Sequence, residues 1–264
     1  MKNAFKGLML AFQFFTVVPI TKEIELSRRT VPWMIGMLPT VGLVIGWTIA
    51  GTAEAAESIF SMSPLMKALL VWVLFISWSG GLHLDGWTDA SDAYFSYSSP
   101  EKRVEILKDP HVGAFGVLSL VVLLAAKGVL FVDLFSQFEE SMIWLIWIPI
   151  LSRVMMAVLL TAAPLAKEEG IAYYLRQSLY PKHMKIPLIT GAVALLLPAL
   201  AFGMMDGKLL ILLMAGFLVF SVILWHFAVK QFGGINGDLL GAGLEGGELW
   251  SILLVWSYLS IVTG

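Results

Sequence analysis

Cysteine is absent from the 264 residues, which excludes disulfides, iron–sulfur clusters and thiol chemistry and leaves the redox compartment undetermined. Charge is scarce: 17 Lys plus Arg and 19 Asp plus Glu amount to 14% of the chain, against 58% hydrophobic residues. A soluble domain carries about 25% charge and about 45–50% apolar residues. Too few charges are present to coat a water-facing surface, so a soluble enzyme is not expected. The formal net charge of −2 lacks the basic excess with which nucleic-acid binders neutralise phosphates, so no nucleic-acid partner is expected. The alternation of barrel strands is missing, as are internal repeats, low-complexity tracts and linkers between soluble domains. Residues 1–264 are therefore read as one integral-membrane domain.

What the chain has instead is long apolar runs. A helix needs roughly 20 apolar residues to cross the hydrocarbon core, and seven candidates lie near Pro32 to Ala53, Pro64 to Leu82, Gly113 to Phe135, Ser141 to Ala163, Ile186 to Met205, Lys208 to Val229 and Glu248 to Val262. The expected fold is all-α, a polytopic membrane helical bundle. Phe5 to Ile20 is apolar but short and reaches Pro19 before a charge cluster, so it is read as an interfacial or re-entrant helix. Removal as a signal peptide is disfavoured because no small-residue cleavage site follows.

Basic residues sort the loops. Lys2, Lys6, Lys22, Arg28, Arg29, Lys102, Arg103, Lys108, Lys167, Arg176, Lys182, Lys185 and Lys230 fall in alternate segments, while the loop at Glu54 and Glu57, the loop at Glu139 and Glu140, and the turn at Asp206 hold almost none. Cytoplasmic loops retain Lys and Arg. The basic side is taken as the cytoplasmic face, and seven crossings place the C-terminus outside.

Three polar islands fall on that face. The first runs from Gly80 and Gly81 through His83 to Asp85, Asp89 and Asp92. The i, i+4, i+7 spacing puts the three carboxylates on one helical face, where repulsion and poor solvation favour a cation among them. Oxygen ligands select a hard ion, Mg²⁺ or Mn²⁺, that keeps positions for water and substrate phosphate. A solvated acidic helix end is the plainer alternative. His83 can orient a carboxylate, act as a base or cap the turn.

The second island joins Lys108, Asp109, Pro110 and His111 to Gly113 and Gly116. Its glycines let the backbone approach a ligand and Lys108 offers a mobile charge to phosphate; a helix-start loop with a snorkelling Lys is the bland reading. The third, Gly233 to Glu248, holds seven glycines in 16 residues, so an irregular path is expected there. Its glycines, including Gly234, can turn amide N–H groups toward phosphate, and Asn236 and Asp238 can bind a metal, a water or a ribose hydroxyl; a flexible loop is the alternative. Arg153 lies mid-span and should face the bundle interior, meeting an acid or an anionic ligand, phosphate above all. Lys127 can pair with Asp133, and His226 needs no special role.

Clustered Asp, Gly-rich loops and an intramembrane Arg suit phosphoryl or nucleotidyl transfer at a diphosphate. A cation-coupled transporter is the competing class, but its site would sit at the midplane beside inverted repeats, and neither feature is seen.

With these residues the chain resembles the cobalamin synthase family, the adenosylcobinamide-GDP ribazoletransferases. The likeness rests on Gly81-Leu82-His83-Leu84-Asp85-Gly86 with Asp89 and Asp92, on Lys108-Asp109 with Gly113-Ala114-Phe115-Gly116, and on Gly233-Gly234 with Gly237-Asp238 and Leu240-Gly241-Ala242. Phe12-Gln13-Phe14-Phe15-Thr16 with Val18-Pro19 supports it. The resemblance implies a Mg²⁺-dependent enzyme of the bacterial cytoplasmic (inner) membrane, its active site facing the cytoplasm. A ribose hydroxyl of α-ribazole, or of its 5′-phosphate, attacks the cobinamide-side phosphorus of adenosylcobinamide-GDP, and GMP leaves. It further implies that Asp85, Asp89 and Asp92 hold the metal with Asp238 completing it, and that Lys108 and Arg153 neutralise the diphosphate. The expected site is then His83, Asp85, Asp89, Asp92 and Lys108 for catalysis, with Asp109, Gly113, Arg153, Gly234, Asn236 and Asp238 for substrate. The lipid bilayer is the other partner, and a homo-oligomer is left open. The aspartate spacing is also similar to that of the CDP-alcohol phosphotransferases of phospholipid synthesis. Thr88-Asp89 stands where their Ala-Arg would fall, so that family is the runner-up.

Overall fold

Proline and glycine divide the chain into helices. A computed structural model describes residues 2–96, 99–109, 111–138, 142–202 and 207–262. Pro110, the Glu139–Glu140 loop, the turn at Asp206 and the expected span ends at Ser141 and Met205 lie outside the described residues. Among the described residues the only β-pairing is an isolated parallel bridge, Leu165 with Ile235, so the architecture is a helical bundle as expected.

Helix α1 (Lys2–Phe15) packs on α2 (Val31–Gly36), where Gly7 lies so close to Trp33 that a Cβ would come within 2.4 Å of its side chain. Fourteen residues are too few to cross a bilayer. The chain leaves α1 at Thr16, and the Val17 N–H bonds the Trp78 carbonyl at 3.0 Å. α2 continues across Met37 into α3 (Leu38–Phe60), giving one apolar stretch of 30 residues. α4 (Pro64–Ser79) starts with Ser63 as N-cap and Pro64 in its first turn, both favoured there. It stops where Gly80 and Gly81 adopt φ of 60° and 84°, a left-handed pair that only glycine supplies without strain. That pair turns the chain by 86° into α5 (Leu82–Phe95).

The order continues with α6 (Pro100–Ile106), α7 (Ala114–Gln137), α8 (Trp144–Ala162), α9 (Gly170–Arg176), a 3₁₀ turn (Pro181–Met184), α10 (Lys185–Phe202), α11 (Gly207–Phe232) and α12 (Gly237–Val262). Among the described residues six helical stretches are long and apolar enough to cross a membrane, or seven if α4 and α5 form one bent span. α8 is apolar almost all round and is the buried centre. α3 reaches it through Gly42 and Gly46, where a Cβ would fall 2.4 Å from the Pro149 carbonyl oxygen and 2.6 Å from the Ile146 Cα. The outer faces of α7, α10 and α11 expose Leu118, Val122, Leu196, Leu200, Ile211 and Leu218, an apolar coat that suits lipid.

The glycine-rich third island corrects the expectation. Gly233 to Asn236 keep the irregular path, with Gly233 and Gly234 at φ of 76° and 154°, but the rest of the island forms the first half of α12, which runs from Gly237 and not from Glu248. About 1 kcal/mol of helix propensity is lost per glycine, yet an apolar interior makes every unpaired amide costlier still, so the helix persists. The missing side chains become contact surface: a Cβ on Gly243 would fall 2.3 Å from Leu224, and one on Gly247 2.8 Å from Phe217.

Candidate active site

The bend after α4 lays α5 between α7 and α12. Two glycines permit this approach: a Cβ on Gly86 would fall 2.7 Å from the Asp238 carbonyl oxygen, and one on Gly241 3.3 Å from the His83 backbone. The first and third islands therefore meet backbone to backbone.

Asp85, Asp89 and Asp92 share α5 as the spacing predicts, but their surroundings differ. Asp85 is exposed; Asp89 and Asp92 are half-buried. Asp92 turns to the second island, where its Oδ1 accepts the Gly116 backbone N–H at 3.2 Å, and its carboxylate sits where a Cβ on Gly113 would be. It thus serves as an anion at the α7 N-terminus. Gly113 is the N-cap of α7 and packs on Asp92.

Asp89 lies within electrostatic range of Asp85, Asp92 and Asp238. Among the described residues none of these four has a salt-bridge partner, and no group of three His, Asp or Glu side chains stands gathered to hold a metal ion. Four carboxylate-bearing positions that form no salt bridge among the described residues have the charge and the oxygen chemistry that suit a hard divalent ion.

Asp238 is aimed by its neighbour. Asn236 is 1% exposed; its amide donates to Asp238 Oδ2 at 2.8 Å, and its Oδ1 accepts the Leu239 N–H at 2.9 Å. Both hydrogen bonds are internal, so Asn236, expected to touch substrate, acts as N-cap of α12 and holds the Asp238 carboxylate. Gly234, also expected at a phosphate, packs under the Pro164–Ala166 segment, 2.5 Å from the Pro164 carbonyl oxygen to its would-be Cβ.

Asp85, Asp238, His83 and Gly86 line a cavity of about 500 Å³. Gln13, Phe14 and Phe15 of α1 form one wall, Met156 and Leu160 of α8 another, and Ile171, Ala172 and Leu175 of α9 a third. His83 is 3% exposed, and its Nε2 is buried without a hydrogen-bond partner among the described residues. The α1 and α9 walls escaped the sequence reading, although Gln13 and both phenylalanines stand in the N-terminal motif.

The basic candidates Lys108 and Arg153 each have an acidic partner. Lys108 bonds Glu169, the residue before α9, at 2.6 Å, and this hydrogen-bonded lysine holds the Glu169 carboxyl below its ordinary range. Lys167 lies within electrostatic range of Glu169 and of Asp238, so the Lys108 loop borders the same end of the bundle. Asp109 accepts from the His111 ring at 2.6 Å and from its backbone N–H at 3.0 Å, and these bonds lower its carboxyl.

Arg153 and Lys127 share one buried network, and the expected partner of Lys127 requires a correction. Arg153, 4% exposed, donates to Glu248 Oε1 at 3.0 Å, and Lys127, 3% exposed, bonds Glu245 at 2.5 Å and the other Glu248 oxygen at 3.1 Å. Arg153 thus faces the interior and meets an acid, one of its two expected partners. Lys127 does not use Asp133, which accepts from Trp256 and Gln137. The expected irregular path over Gly233 to Glu248 gives neither acid a helical face, so their alignment with Lys127 and Arg153 follows only from α12. Two cations and two anions joining α7, α8 and α12 leave no net charge in the bundle.

No solved structure matches the chain. The family model for cobalamin-5-phosphate synthase matches residues 7–256. Among curated relatives, the adenosylcobinamide-GDP ribazoletransferase of Geobacillus sp. (strain WCH70) is 40% identical over 99% of both chains. The protein of the same name from Geobacillus kaustophilus is 37% identical over 100% of both, and that of Acinetobacter baumannii (strain ATCC 17978) 39% identical over 90% of this chain and 92% of its own. A helical membrane bundle that joins three polar islands at one end, matched along nearly its whole length, belongs to the cobalamin-5-phosphate synthase family of transferases.

Proposed function

We propose that the chain transfers the cobinamide-phosphoryl group of adenosylcobinamide-GDP to a ribose hydroxyl of α-ribazole, yielding adenosylcobalamin and GMP. With α-ribazole 5′-phosphate as acceptor the product keeps that phosphate. The hydroxyl oxygen forms a bond to the cobinamide-side phosphorus, the bond from that phosphorus to the bridging oxygen breaks, the bridging oxygen leaves with GMP, and the hydroxyl proton passes to a base. The observation that carries the reading is the cavity edged by Asp85 and Asp238, in a chain aligned end to end with the ribazoletransferases.

Asp85, Asp89 and Asp238 are the residues suited to hold Mg²⁺, or Mn²⁺ in its place. Asp92 stands behind them at the α7 N-terminus. Such an ion, when bound, supplies neutralisation of the diphosphate charge. The chain's own part is positioning: Asn236 fixes the Asp238 carboxylate, and Lys108 and Lys167 place positive charge beside the cavity rim for the diphosphate. The basic loops share this end of the bundle, which supports a cytoplasmic-facing site in the bacterial inner membrane.

The test is incubation of the purified protein in detergent with adenosylcobinamide-GDP, Mg²⁺ and either α-ribazole or its 5′-phosphate. Formation of GMP together with a cobalamin product is expected. Turnover of a CDP-alcohol with glycerol phosphate or inositol, and none with either ribazole, would replace this reading with phospholipid synthesis.

A further inference from the structure

The two proposed substrates differ greatly in size and polarity. The corrinoid with its guanosine diphosphate is several times larger than α-ribazole, a nucleoside of about 20 non-hydrogen atoms whose base is a fused, methylated bicycle with one ring-nitrogen acceptor and no donor. Pockets that enclose drug-sized ligands measure about 300–1,000 Å³ and are mainly apolar with a few placed polar groups. The cavity of about 500 Å³ between α1, α5, α8, α9 and α12 belongs to that class.

Building on the proposed transfer reaction, we infer that this cavity seats the α-ribazole nucleoside, base inward, while the corrinoid and its diphosphate remain at the rim. The apolar walls are Phe15, Met156, Leu160, Leu175 and Leu240, which match a bicycle lacking exocyclic donors. A guanine or a corrin amide would leave its polar groups unpaired against these side chains, at about 1–3 kcal/mol for each group. Apart from Gln13 of α1, the polar side chains of the lining stand together on α5 and at the start of α12: His83 and Asp85 on one side, Asp238 on the other. The His83 Nε2 is buried and unpartnered among the described residues, a state in which buried polar atoms of native proteins are rarely left. With the base held by the apolar walls, the sugar then lies beside Asp85 and Asp238, where the diphosphate must arrive from the exposed side. The cavity's volume thus decides which substrate lies inside, and its polar edge decides which end of that substrate faces out.

The test is steady-state kinetics of the full-length enzyme with each substrate varied in turn, for wild type and for two wall variants, Ala172→Phe, which fills the cavity, and Phe15→Leu, which opens it. Wild-type turnover establishes the reaction itself, so failure of the reaction and failure of the subsite are separable. The expected result is a KM for α-ribazole raised about tenfold or more in Ala172→Phe, with that for adenosylcobinamide-GDP nearly unchanged. Phe15→Leu should show a smaller change in the same substrate only. A rise confined to adenosylcobinamide-GDP would overturn the assignment. Where turnover is lost, equilibrium dialysis of the two labelled substrates gives the same decision: retained corrinoid binding with lost α-ribazole binding supports the subsite, and the reverse pattern, or undiminished α-ribazole binding, overturns it.

Discussion

Asp92 Oδ1 accepts the Gly116 backbone N–H at 3.2 Å, so the last of three in-register aspartates is bound to the first turn of α7, while among the described residues Asp85 and Asp89 have no such tie. Asp85→Asn and Asp89→Asn should lower turnover on the order of a hundredfold while the protein still inserts. Asp92→Ala should also lower the thermal midpoint in detergent, by the equivalent of about 0.5–2 kcal/mol for a lost helix-terminal anion. Turnover assays beside thermal unfolding of the three variants check the distinction.

Removal of divalent ions should stop the reaction. Treatment with EDTA is expected to abolish GMP release, and added Mg²⁺ to restore it, with loss on acidification because the carboxylates must be ionised to bind the ion. Undiminished turnover in EDTA would remove the metal from the mechanism.

Breaking the buried network should cost stability, not substrate affinity. Lys127→Leu leaves Glu245 without its cation and should destabilise by about 3–5 kcal/mol. The double variant Lys127→Leu with Glu245→Leu should recover a substantial part, as a double-mutant cycle on denaturant midpoints would reveal. Arg153→Leu is expected to follow the same pattern, with KM for adenosylcobinamide-GDP unchanged because its partner is Glu248.

Glycine substitutions should divide by location. Gly86→Ala forces a Cβ to within 2.7 Å of the Asp238 backbone and should lower stability by about 1–3 kcal/mol and displace Asp238, with a larger loss of kcat. Gly128→Ala in α7, where among the described residues the would-be Cβ meets nothing within 4 Å beyond its own stretch of helix, should be neutral or slightly stabilising. Equal behaviour of the two variants would contradict the backbone contact.

The Lys108–Glu169 pair gives a pH signature. Lys108 lowers the Glu169 carboxyl, so the folded state binds a proton there less readily than the unfolded chain. The stabilisation is present above the ordinary carboxylate range and is lost as pH falls through the lowered value. Thermal midpoints of wild type and Lys108→Met should therefore differ near neutrality and converge in acid.

Most spans were legible because the bilayer imposes a length that composition alone reveals: Lys208 to Val229 was expected where α11 runs from Gly207 to Phe232. The aspartate face was legible for a similarly local reason, the helical repeat. Asn236 was legible as a polar residue near the site but not as a cap, since that depends on where α12 begins. Lys127 was matched to Asp133, six residues away, because a local search cannot reach Glu245, 118 residues along the chain.

Local chemistry therefore determined that this is a helical membrane protein with acids in register, and the order of its motifs pointed to the family. Only the tertiary structure decided which groups share a site. The left-handed Gly80–Gly81 pair turns α5 across the bundle, and glycines on α5 and α12 let two backbones touch. The cavity and the buried ion pairs follow from that packing. Glycine has no side chain by which a sequence could show whether it loosens a loop or brings two helices together; the neighbouring helix settles that.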